Sequence, residues 1–169
     1  MRTEQPKMIY LKDYQAPDYL IDETHLTFEL FDDHTLVHAQ LVMRRNPAAG
    51  AGLPPLVLDG QQLELLSVAL DDRELSAGDY QLSDSHLTLQ PTAASFVIDS
   101  SVRIHPESNT ALEGLYKSSG MFCTQCEAEG FRKITYYLDR PDVMSKFTTT
   151  LSAAQHDYPV LLSNGNPIA

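Results

Sequence analysis

Apolar and polar residues alternate with a period of two across residues 24–31. Leu26, Phe28 and Leu30 fall on one face, Thr27 and Glu29 on the other. That period is the signature of a strand with one face buried. Asp32-Asp33-His34 makes a turn, and residues 35–44 resume the strand pattern, so the two segments predict a β-hairpin. Residues 46–55, rich in Pro, Gly and Ala, read as a surface loop. Further short strands are expected at 56–58, 63–70, 80–82, 86–90 and 95–105, punctuated by Asp59-Gly60, Asp71-Asp72, Gly78-Asp79 and Asp84-Ser85. Strands of this length and spacing predict an all-β fold, either a curved, saddle-like sheet or a β-sandwich.

Helix is expected only as a short insertion near 130–146. One piece covers 130–138, and a turn or two follows Asp139, where Pro141 suits a first helical position. Residues 146–154 return to a strand pattern. The apolar run Pro159-Val-Leu-Leu-Ser163 reads as a strand ending in Asn164-Gly165, a strong two-residue hairpin signal. Only Pro167-Ile168-Ala169 remains for the return strand. Half a hairpin leaves an edge that natural domains cover or blunt, so the pattern reads as a domain cut before its last strands.

Composition narrows the possibilities. At 169 residues the chain suits one domain, large enough to bury roughly 70% of its unfolded surface. The balance of 12 Lys+Arg against 23 Asp+Glu gives a net charge of −11, which disfavours nucleic acid and anionic membrane as partners. The opening Met1-Arg-Thr-Glu-Gln-Pro-Lys7 is polar with no apolar core behind it, so no signal peptide is expected. Two cysteines, Cys123 and Cys126, are too few for a disulfide scaffold and suit a reducing compartment, with the cytoplasm as the expected location.

The densest chemistry lies between Thr124 and Asp142. If residues 122–127 form a strand, Cys123, Gln125 and Glu127 share one face, with Thr124 and Cys126 on the other. That geometry weakens Cys123-Thr-Gln-Cys126 as a redox pair, because such pairs sit at a helix start. It is equally poor as a zinc half-site, since no second Cys pair or suitably spaced His pair accompanies it. His34 and His38 are four apart, but across a turn and a strand. Gln125 and Glu127 are the stronger candidates. A carboxylate can accept a charge-assisted hydrogen bond from an ammonium group, and a neighbouring amide can donate and accept at once. Taken alone, Gln-x-Glu on a strand is a weak signal and reads first as an ordinary surface polar pair. Phe131, Tyr136 and Tyr137 read as core or interdomain packing in preference to a ligand-stacking patch.

Thr124-Gln-Cys-Glu-Ala-Glu-Gly-Phe-Arg-Lys-Ile-Thr-Tyr-Tyr-Leu-Asp-Arg-Pro-Asp142 closely resembles a segment of the bacterial alanyl aminopeptidases (aminopeptidase N), zinc enzymes of the gluzincin type. Tyr10-Leu-Lys-Asp-Tyr-Gln-Ala-Pro-Asp-Tyr19, Asn109-Thr-Ala-Leu-Glu-Gly-Leu-Tyr-Lys-Ser118 and Tyr158-Pro-Val-Leu-Leu-Ser-Asn-Gly-Asn166 are similar to their counterparts in the same family. The resemblance implies that 1–169 is the family's N-terminal β-domain, lacking its last strands. It also implies that Glu127 helps to bind the substrate α-amine and that Gln125 contacts the first residue of the peptide. Glu129 carries no implied role beyond a salt bridge or cap.

The family's Gly-Ala-Met-Glu-Asn loop, its His-Glu-x-x-His helix with a distal Glu, and its transition-state Tyr are absent. The expectation is therefore a non-catalytic substrate-anchoring domain that binds no zinc itself. In the parent enzyme, zinc, the catalytic domain and peptide N-termini are its partners. A free-standing β-sandwich binding or scaffold module is the alternative, and a thiol redox or metal protein resting on Cys123 and Cys126 is the third reading.

Overall fold

The computed structural model describes Met8 and residues 10–168; the polar opening at 1–7 lies outside the described residues. After a short 3-10 turn at Leu11–Asp13 come β1 (Tyr19–Leu30), β2 (Thr35–Arg45), β3 (Leu56–Asp59), β4 (Glu64–Leu70) and β5 (Arg73–Glu74). The chain continues through β6 (Gln81–Leu82), β7 (His86–Leu89), β8 (Ser95–Ile104), β9 (Gly114–Ser118) and β10 (Met121–Gln125). A second 3-10 turn at Phe131–Lys133 precedes β11 (Lys146–Ala153). Six strands form an open sheet in the order β11-β1-β2-β8-β4-β5, accompanied by a three-stranded sheet β3-β7-β6 and the hairpin β9–β10. The fold is all-β, as the alternation predicted.

The predicted hairpin forms as β1 and β2, closed where Phe31 N donates to the His34 carbonyl at 3.0 Å. β1 begins earlier than its pattern suggests, because a bulge at Asp22 shifts the register between Ile21 and Glu23. One extra residue switches which parity faces inward: Tyr19 and Ile21 are buried before the bulge, Leu26, Phe28 and Leu30 after it. Arg44 steadies the bulge through an ion pair with Asp22 at 2.9 Å. Val37, Leu41, Ile98 and Val102 from the large sheet and Leu56, Leu58 and Leu87 from the small one are fully buried in the same core. Each such side chain contributes roughly 1.5–3 kcal/mol by leaving water.

Three expectations differ. The insertion at 130–138 is a single 3-10 turn, Phe131–Lys133, in place of a longer helix. Its later residues are already committed: Tyr137 exchanges both backbone hydrogen bonds with Asp59 at the end of β3, at 2.8 and 3.0 Å. Those donors and acceptors are therefore unavailable to a helix. The β9–β10 hairpin was not anticipated as a strand pair; Ser119-Gly120, both at positive φ (51° and 83°), make its turn. The apolar run at 159–163 is not a strand, because nothing among the described residues supplies it with a ladder partner. Gly165 nonetheless adopts the positive φ of 95° that its turn signal implied.

An ionic cluster fixes the path between the insertion and β3. The mostly buried Arg132 donates through Nε to the buried Asp139 carboxylate at 2.8 Å and through Nη2 to the Asp139 carbonyl at 3.1 Å. Asp139 N in turn donates to Asp59 Oδ2 at 3.2 Å. Beside it, Thr24 Oγ1, with no exposed surface, lies 3.3 Å from Tyr137 Oη and 2.7 Å from Ser145 Oγ. Replacing Asp139 by Ala removes the shortest ion pair of the mostly buried Arg132 guanidinium and leaves it Glu129 at 3.6 Å and Asp59 at 4.0 Å. Urea denaturation of D139A should show a loss of about 1.5–3 kcal/mol, the range for a hydrogen bond to a charged group; a loss below about 0.5 kcal/mol would count against the cluster as the clamp of this segment.

Candidate functional site

β10 ends at Gln125, two residues short of the strand needed to carry Glu127 on the same face. The chain turns instead: Gly130 N donates to the Cys126 carbonyl at 2.8 Å, and Glu127, Ala128 and Glu129 form the turn between. Gln125 and Glu127 are still neighbours. Gln125 Nε2 donates to the Glu127 carbonyl at 3.4 Å, and both side chains are exposed. The structure thus brings the pair together by a turn rather than by strand alternation. β9 holds the other side of the hairpin, with Gln125 opposite Gly114 and Thr124 opposite Leu115.

The two acids of the turn have different partners. Glu129 Oε2 lies 3.6 Å from Arg132 Nη2, the salt bridge anticipated for it. Lys133, the next cation along, pairs with Glu113 at 3.2 Å. Among the described residues, no hydrogen bond or ion pair engages the Glu127 carboxylate. An exposed carboxylate of this kind can take an ammonium group without first giving up an internal partner.

Cys126 serves packing. It and Cys123 are free thiols. Cys126 packs against the core, and burial, with a smaller contribution from the Asp139 charge, pushes its thiol up to about 11. A group so raised is almost entirely protonated at neutral pH, the reverse of a redox-active thiolate. Among the described residues, no three His, Cys, Asp or Glu side chains come together as metal ligands. His38 is instead engaged by Ser101 at 2.8 Å and Glu29 at 3.1 Å, and His34 by Asp33 at 2.7 Å. The described residues therefore do not fit a zinc centre. Of the aromatic residues expected to pack, Tyr136 and Tyr137 are buried, and Phe131 meets Tyr137 and Phe147 ring to ring with centroids 4.6 and 5.9 Å apart.

An apolar groove of about 460 Å³ opens next to the hairpin, between β1 and β11 on one side and the segment after Tyr158 on the other. Phe28, Phe122, Phe147, Leu151 and Leu161 line it; Gln125 and Glu127 do not. Tyr158 anchors the segment by donating to Asp32 Oδ1 at 3.1 Å and by packing on Phe122 at 5.1 Å. Lys117 lies over the Phe122 ring at 4.7 Å and meets Asp32 at 3.3 Å. Sequence reasoning missed this Lys117–Asp32–Tyr158 cluster, whose members are 85 and 126 residues apart from Asp32. Among the described residues no helix is long and apolar enough to cross a membrane.

The fold is an open all-β domain that displays an acid–amide pair on a tight turn. The chain belongs to the peptidase M1 N-terminal domain family, whose model matches residues 25–169. It is 47% identical over 169 residues to aminopeptidase N of Caulobacter vibrioides, covering 100% of this chain and 19% of that protein. With aminopeptidase N of Escherichia coli it shares 46% identity over 167 residues, 99% of this chain and again 19% of the relative. The chain thus spans about one-fifth of the length of these relatives. Among solved structures, an aminopeptidase A of Legionella pneumophila in complex with aspartic acid superposes with a TM-score of 0.88 at 34% identity, covering 94% of this chain and 19% of that one. An M1 zinc metallopeptidase from Deinococcus radiodurans, bound to a Tyr-Ser-Ala substrate, has a TM-score of 0.64 at 15% identity over 80% of this chain and 33% of its own, a likeness of fold alone.

The raised Cys126 pKa yields a direct test. At pH 8 a thiol near 11 is ionised to about one part in a thousand, so iodoacetamide should leave Cys126 largely unmodified, with labelling rising as pH approaches 11. Peptide mapping that finds Cys126 rapidly alkylated at pH 8 in the folded protein would contradict its burial.

Proposed function

We propose that this chain is the substrate-anchoring N-terminal domain of a zinc-dependent aminopeptidase that removes N-terminal residues from peptides. In this reading Glu127 accepts hydrogen bonds from the α-ammonium of the peptide, and Gln125 contacts its first residue. The observation that carries the proposal is the division of labour in the turn: Arg132 pairs with Glu129, while the neighbouring Glu127 is exposed, its carboxylate engaged by no described residue and its backbone carbonyl accepting from the Gln125 amide. The family membership and the two aminopeptidase N relatives support the same assignment.

Zinc and the hydrolytic step belong, in this reading, to the four-fifths of such relatives that the chain does not span, and the domain's partners are that catalytic portion and peptide N-termini. The net charge of −11 supports exclusion of nucleic acid and anionic membrane surfaces. Two free cysteines without a disulfide support a reducing, cytoplasmic setting.

Two measurements check the proposal. The 169-residue chain alone should not hydrolyse alanyl p-nitroanilide, with or without added zinc; robust zinc-dependent turnover by the pure chain would overturn it. In the longer enzyme carrying this domain, Glu127→Gln should lower kcat/KM roughly ten- to hundredfold, the range of roughly 1.5–3 kcal/mol for a hydrogen bond to a charged group. Unchanged kinetics in that variant would remove the amine-anchor role.

A further inference from the structure

The turn that carries Glu127 is held by a close backbone approach. Gly130 has φ −93° and ψ −9°, torsions open to any residue, so only space restricts the position. A Cβ built there would stand 2.6 Å from the Gln125 carbonyl oxygen, 3.0 Å from Cys126 Cα and 3.2 Å from Gly114 N. All three are backbone atoms, so no side-chain rotation relieves the overlap. Two of them belong to the residues that lead directly into Glu127. Gly114 completes the contact from β9: at φ +74°, a Cβ on it would lie 3.2 Å from the Gly130 carbonyl and 2.7 Å from Lys133 Cβ. The turn's outer end is tied by the 3.6 Å pair between Glu129 and Arg132, whose guanidinium is itself fixed by Asp139.

We propose that Gly130, assisted by the Glu129–Arg132 pair, is a positioning residue that sets the direction of the Glu127 carboxylate toward a substrate ammonium group; this rests on the amine-anchor reading above. Gly130 and Glu129 need not touch the substrate. A methyl group at 130 pushes the Gln125 carbonyl or the Cys126 backbone away, and Glu127 moves with them. Charge-assisted hydrogen bonds weaken steeply with distance and angle, and a misplacement of about 1 Å can cost about a hundredfold.

The test uses the longer enzyme carrying this domain and two probes, alanine hydroxamate and propionohydroxamate, which differ only by the α-amino group. Calorimetry gives the ratio of their affinities, a quantity that general loosening of the fold does not move. In Gly130→Ala the alanine hydroxamate should weaken about tenfold or more while propionohydroxamate keeps its affinity. In Glu129→Gln the ratio should fall about two- to threefold, the size a partly exposed ion pair supports. An unchanged ratio in Gly130→Ala, or an equal loss for both probes, overturns the proposal. Should Gly130→Ala not fold, an unchanged ratio in Glu129→Gln overturns it. Glu127→Gln separates the two readings. If that variant keeps the wild-type ratio, the amine anchor itself fails. If it collapses the ratio while the other two do not, only the positioning role falls.

Discussion

Arg132 is asked to satisfy three chain segments at once, and the route of the polypeptide follows from how it does so. Its guanidinium binds the Asp139 side chain and carbonyl, lies 3.6 Å from Glu129 and reaches 4.0 Å to Asp59. Its own carbonyl accepts from Gln61 N at 2.8 Å. A planar fork of five donors suits such convergence; a lysine ammonium would have to choose among these partners. Taking the pair out of water is costly, and the return is specificity of path more than net stability. Residues 131–139 are thereby bound to the end of β3, and the turn before them is held at a fixed place beside the β9–β10 hairpin.

That placement is what gives the acid–amide pair its character. A strand running on through residue 127 would put Gln125 and Glu127 on one face with the usual spacing. Ending the strand at Gln125 and turning sharply folds the Glu127 carbonyl back onto the Gln125 amide, and Cys126 is drawn against the core in the process. The same turn sorts the acids: Glu129 falls within reach of Arg132 and Glu127 does not. Local charge, packing and backbone direction therefore have one common cause in the cluster around Asp139.

The segment after β11 shows the complementary case, in which packing acts without secondary structure. Tyr158 is fixed by Asp32, Phe122 and Lys117, so the chain beyond it runs along the apolar groove without joining a sheet. Its residues are apolar enough for a strand, but a strand exists only as a pair, and β11 is hydrogen-bonded only to β1 among the described residues. Exposed Val160 and Leu162 are the consequence.

Much of the fold was legible in the chain because alternation reports burial directly. The inward residues of β2 and β8 follow one parity throughout, and the turns at Asp32-Asp33-His34 and Asp71-Asp72 carry their own chemistry. The candidate residues Gln125 and Glu127 were legible as residue types in a recognisable segment. What the pattern could not reveal was the bulge at Asp22, which changes the parity of β1, or the early end of β10. Nor could it reveal the loss of helix at 134–138. Each of these depends on a partner distant in sequence: Arg44 for the bulge, Asp59 for Tyr137, Gly114 for the close approach at Gly130. The sequence by itself determined the all-β class and the strand faces, since these rest on periodicity within a few residues, while Gln125 and Glu127 stood out only through the resemblance of the segment that holds them. Only the tertiary structure decided which acid is paired and which is open, because that depends on backbone atoms and charges brought together across the fold.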